Sequence, residues 1–68
     1  MKSNEKIKLF FERKQKVHVS CNTSRFYNGE IIELNDEKGF LILMDLKLGE
    51  VPIMFEEIHS IEPFLVRS

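Results

Sequence analysis

The stretch "SRFYNGEIIELND", residues 24–36, decides the fold of this 68-residue chain. Ile and Leu interleave here with acidic residues, the period-two grammar of a strand with one buried face. From Phe26 to Leu34 the segment is long for a strand. Gly29 lies inside it, where glycine marks a bulge or a tight bend of the kind a small barrel needs. Asn35 and Asp36 open a polar turn, "NDEKG", that ends in Gly39.

Working outward, Val17, Val19 and Cys21 share one face of a preceding strand while His18 and Ser20 share the other, and "NTS" turns the chain into the long strand. Downstream, "FLILMDLKL" from Phe40 to Leu48 reads as a third strand with an almost continuous apolar start. "LGE" turns it into a fourth, "VPIMF", which Pro52 confines to a sheet edge. "EIHSIEPF" supplies a fifth strand carrying Ile58 and Ile61, and Pro63 ends its regular pairing. Ahead of all five, "SNEKIKLFFERKQK" at 3–16 sets Ile7, Phe10, Phe11 and Lys14 at helical spacing, with Ser3 or Asn4 to cap and Glu5 in the first turn. The expectation is one mainly β domain over residues 1–68: an N-terminal helix at 3–16 and a small, strongly bent five-stranded barrel over 17–64.

Composition agrees. Hydrophobic residues are 43% of the chain and include no Ala, so the apolar surface is bulky and β-prone. The lone Cys21 has no disulfide partner, and neither a membrane-spanning run nor a signal-peptide core is present. A reducing compartment is expected, cytoplasmic or, in a eukaryote, nuclear. The net charge of −1 hides an asymmetry: residues 1–16 carry six Lys or Arg against two Glu, and residues 17–68 carry four against nine Asp or Glu. A polyanion would meet the basic end.

The helix-first order and "VHVSCNTSRFYNGEIIELNDEKGFLIL", with Arg25, Tyr27 and Gly29 in an x-Tyr-x-Gly-x-apolar step, resemble the first motif of the Sm-like (LSm, Hfq-type) family. "IMFEEIHSIEP" resembles the second through Ile53, Ile58 and Ile61. The resemblance covers nearly all of the chain. It implies an SH3-like barrel of five bent strands capped by the helix, with copies joining through their fourth and fifth strands into a hexameric or heptameric ring. The interface would then include Val51, Ile53, Phe55, Ile58 and Ile61. It also implies single-stranded RNA as a partner. In the family, uridine is held by an Asp, an aromatic or His, an Asn and an Arg-Gly pair, and the matching positions here are Asn35, Glu37, Gly39, Met54 and Phe55. None keeps the family's residue: Glu37 repels phosphate, Gly39 has no side-chain amide and Met54 no guanidinium.

The residues themselves offer other nucleic-acid contacts. Lys6, Arg13, Lys14 and Lys16 would recur in every subunit of a ring, and Asn35 and Lys38 project from the turn, although both are also ordinary turn residues. Arg25, Phe26 and Tyr27 form a possible base-stacking patch, but alternation sends the two rings to opposite faces, so at least one belongs to the core. His18, Cys21 and His59 are the only soft ligands, and His18 and Cys21 fall on opposite faces of one strand. No metal site, catalytic residue or cofactor is expected.

Three readings follow: an RNA-binding Sm-like ring acting as an RNA chaperone or ribonucleoprotein scaffold; an Sm-like protein-interaction or assembly module without the nucleotide pocket; and a monomeric SH3-like domain. The first leads.

Overall fold

The computed structural model describes residues 4–64; Ser3, a candidate helix cap, lies outside the described residues. The chain forms one helix and five strands: α1 (Asn4–Glu12), β1 (Lys16–Cys21), β2 (Phe26–Asn35), β3 (Phe40–Asp45), β4 (Gly49–Met54) and β5 (Ile58–Pro63), with one 3₁₀ turn, Phe55–Glu57, before β5. All strand pairs are antiparallel and lie in one sheet of order β4-β3-β2-β1-β5. The sheet is not closed, because β4 pairs only with β3 and β5 only with β1. Pro52 therefore sits on an edge strand, where a missing N–H is tolerated.

The helix stops four residues short of the expected 16. The Gln15 N–H donates to the Phe10 carbonyl at 3.0 Å and the Lys14 N–H to the Phe11 carbonyl at 3.2 Å, while Lys14 adopts φ 55°. These two bonds around a left-handed residue are a Schellman ending. Glycine usually marks that position in a sequence; lysine does not. The third strand is also shorter than the expected Phe40–Leu48. Asp45 ends it by accepting the N–H groups of Lys47 and Leu48 on Oδ1 at 2.8 and 2.9 Å, and Oδ2 accepts the Asn28 N–H at 3.1 Å.

The long strand β2 serves two neighbours by two separate devices. Gly29 is buried opposite Asp45, and a Cβ there would lie 1.9 Å from the Met44 carbonyl oxygen, so its absence lets β2 and β3 approach. The bulge lies further on. Ile31 pairs with Leu43 and Glu33 with Ile42, leaving Ile32 as the extra residue. That insertion shifts the alternation, so Ile31 and Leu34 both reach the core although three positions apart.

The concave side of the sheet packs Val17, Val19, Ile31, Leu41, Leu43 and Ile53 together, and α1 covers this core with Ile7 and Phe10. Among the described residues no helix is long and apolar enough to cross a membrane.

Candidate nucleic-acid interface

The cationic residues expected to meet phosphate divide between the two ends of α1. Lys6 is exposed near the N-terminal end, its ammonium 5.9 Å from the Phe10 ring centroid. Its neighbour Lys8 reaches Asp36 in the β2–β3 turn at 2.9 Å. The hydrogen bond to Asp36, reinforced by its charge, raises the Lys8 pKa. That ion pair ties the helix to the turn that carries Asn35 and Lys38. At the other end, Arg13 follows the helix, Lys14 forms its left-handed ending and Lys16 opens β1. Seven residues of helical rise, roughly 10 Å, separate Lys6 from Arg13. All four are exposed, and Lys8–Asp36 is the only ion pair among the described residues. Lys16 does face Glu30 across the β1–β2 ladder, which lowers the local positive charge.

The β2–β3 turn and the end of β4 come together, as the Phe55 N–H donates to the Gly39 carbonyl at 2.8 Å and Phe40 pairs with Met54. These segments carry the five positions that the family resemblance assigns to uridine. Asn35 Oδ1 accepts the Lys38 N–H at 2.8 Å, so the carboxamide holds its own turn. Phe55 is buried in the core, Glu37 is exposed, and Gly39 is half-buried with φ 76°. Met54, 40% exposed, presents a thioether. The side chains at these five positions offer a nucleobase neither a cation nor an exposed aromatic face, and Lys38 is the exposed cation of the same turn.

Phe26 and Tyr27 diverge as alternation requires: Tyr27 packs against the core, and Phe26 is 64% exposed. The Phe26 ring lies 5.7 Å from the His18 ring, and His18 Nδ1 is 2.6 Å from Asn28 Oδ1. With Asn28, Asp45, Leu46, Lys47 and Leu48, Phe26 lines a shallow concavity of about 290 Å³. The signal for its wall was present in the sequence as Asp45-Leu46-Lys47-Leu48-Gly49, an Asx-turn pattern. The backbone N–H groups of Lys47 and then Leu48 hold the Asp45 carboxyl below its usual range. Cys21 is buried on the inner side, away from His18, and its burial pushes the thiol pKa up. The described residues contain no group of three metal-ligating side chains.

Of the residues expected at a subunit interface, Ile53, Phe55, Ile58 and Ile61 are buried in the chain's own core, and Val51 packs partly against it. Any contact between copies through these strands would therefore use the backbone groups of β4 and β5 and their outward side chains.

No protein-family model matches the chain, and no curated protein or solved structure is significantly similar to it.

Proposed function

We propose that this chain is an Sm-like subunit that pairs with copies of itself, β4 to β5, to close a ring, and that the ring holds single-stranded RNA by phosphate contacts rather than in a uridine pocket. The observation that carries the reading is the pair of open edges at opposite ends of one antiparallel sheet. Head-to-tail pairing of β4 with a neighbour's β5 satisfies both rows of backbone N–H and C=O groups, and a rotation that closes leaves no edge exposed. In such a ring Lys6, Arg13, Lys14 and Lys16 recur once per subunit, giving a multivalent cationic surface.

A second reading, a protein-assembly ring without RNA, is favoured by the Asn35 carboxamide, which is engaged in its own turn, and by the burial of Phe55. Light-scattering mass after size-exclusion chromatography, with and without nuclease and with the 260/280 nm absorbance ratio, separates them. A mass six- or seven-fold that of the subunit, with co-purifying nuclease-sensitive material, supports the RNA ring. A nucleic-acid-free ring supports the assembly module. A clean monomer removes both and leaves an SH3-like domain.

A further inference from the structure

The outward face of β3 and β4 is apolar, although no described element packs over it. Phe40, Ile42 and Met44 alternate with the core residues Leu41 and Leu43, so they point away from the core. The β3–β4 register sets Phe40 opposite Met54 and Ile42 opposite Pro52, so five apolar side chains run as one stripe across two strands. Met44 and Met54 are each 40% exposed, Pro52 is exposed, and Phe40 and Ile42 are half-buried.

An antiparallel sheet with one solvated face reads apolar inward and polar outward, whereas a nearly continuous apolar run belongs to a strand covered on both sides. "FLILM" is such a run, and among the described residues only one of its sides is covered. Carboxylates border the stripe. Glu33 lies opposite Ile42, and Met44 lies between Glu30 on β2 and Glu50 on β4. No Lys or Arg belongs to β3 or β4. Among the described residues Lys16, opposite Glu30, is the one cation paired to this border, from β1.

We propose that the outer face of β3 and β4 docks a partner protein through a segment that places Leu- or Met-sized side chains on the stripe and Lys or Arg against Glu30, Glu33 and Glu50. Apolar anchors in the centre and a charged rim are the usual anatomy of such a contact. The proposal does not rest on ring closure or RNA binding: it uses the face of the sheet, whereas strand pairing uses the backbone of its edges.

The test uses the full chain and two fluorescein-labelled synthetic peptides, one alternating Leu and Lys and one alternating Leu and Glu, followed by anisotropy. The Leu–Lys peptide is expected to bind at least roughly tenfold tighter than its Leu–Glu counterpart. Met44→Ser and Met54→Ser should each weaken that binding several-fold. Combined Glu33→Lys and Glu50→Lys, at exposed positions that leave the fold intact, should reverse the preference. Circular dichroism melting identifies any variant that has lost its fold, and the charge-reversed chain then decides alone. Equal binding of both peptides overturns the proposal, as does a Leu–Lys preference that survives charge reversal. A chain mass that falls on Met44→Ser overturns it too, because a second copy is then the occupant, and so does displacement of the Leu–Lys peptide by single-stranded RNA.

Discussion

Across β1 and β2 the outward side chains are mostly polar, Lys16, His18, Ser20, Asn28 and Glu30 with Phe26 and Ile32 as the exposed apolar exceptions, whereas across β3 and β4 they include Phe40, Ile42, Met44, Pro52 and Met54. The inner sides of the two halves hardly differ: Val17, Val19 and Ile31 on one, and Leu41, Leu43 and Ile53 on the other, join a single core. Folding demands apolar residues only on the inner side, so, apart from Phe26 and Ile32, the polar half carries what folding and solvent require. The apolar half carries more than that, and the surplus is what the inferred partner would cover. The polar half also satisfies itself internally, with His18 hydrogen-bonded to Asn28 and its ring tilted against that of Phe26.

The seam between the halves is the place to break the comparison most severely. Gly29→Ala puts a methyl group 1.9 Å from the Met44 carbonyl oxygen, and a backbone atom cannot yield as a side chain does. The expected cost is about 3 kcal/mol or more, a large share of the stability of so small a domain, seen as loss of the thermal transition or a fall in Tm of well over 10 °C. Next comes a contrast between neighbours on β3. Leu41→Ala, fully buried, should cost about 2–5 kcal/mol in urea unfolding. Met44→Ser, on the outer side, should stay within roughly 0.5 kcal/mol for the chain alone. A large stability loss at Met44 would mean that the stripe is needed for folding itself, and the distinction between the halves would collapse.

A smaller effect concerns the turn that joins β3 to β4. The backbone N–H groups of Lys47 and Leu48 lower the Asp45 pKa, so the carboxylate is favoured in the folded state. Its contribution is complete above the unfolded value of about 3.9 and fades as pH falls through the lower folded value. Asp45→Asn should lower Tm by a few degrees at pH 7, and the gap to the parent should narrow as the melts are repeated below pH 4. A gap that does not change with pH would assign the role to shape rather than charge. The smallest effect belongs to Lys8 and Asp36, whose side chains are 51% and 42% exposed. Asp36→Asn should barely move Tm, and raised salt should abolish even that difference.

Much of this architecture was legible in the sequence because its causes are local. Alternation through Val17, Val19 and Cys21 gave β1 and Pro52 gave an edge, whereas Gly29, expected as a bulge or tight bend, is a close approach of β2 to β3, and the bulge lies at Ile32. The misplaced boundaries had causes that a residue type does not announce. Lys14 ends α1 in a conformation normally left to glycine, and Asp45 ends β3 with its own carboxylate. The candidate site was less legible. The sequence grouped Lys6, Arg13, Lys14 and Lys16 by proximity along the chain, and the fold sends them to opposite ends of a short helix. Asn35 was read as either a ligand or a turn residue, and its carboxamide holds the turn.

By itself, then, the sequence determined the period of each segment, the number and order of the strands and the sign of charge at each end, because these follow from neighbouring residues. Only the tertiary structure decided which residues became neighbours across strands. The bulge at Ile32 exchanged the inward and outward assignments along β2, and the β3–β4 register turned separate apolar residues into one stripe bordered by Glu33 and Glu50. Side-chain direction alternates with period two, so a single inserted residue reverses every face beyond it, and that insertion is set by pairing with a distant strand.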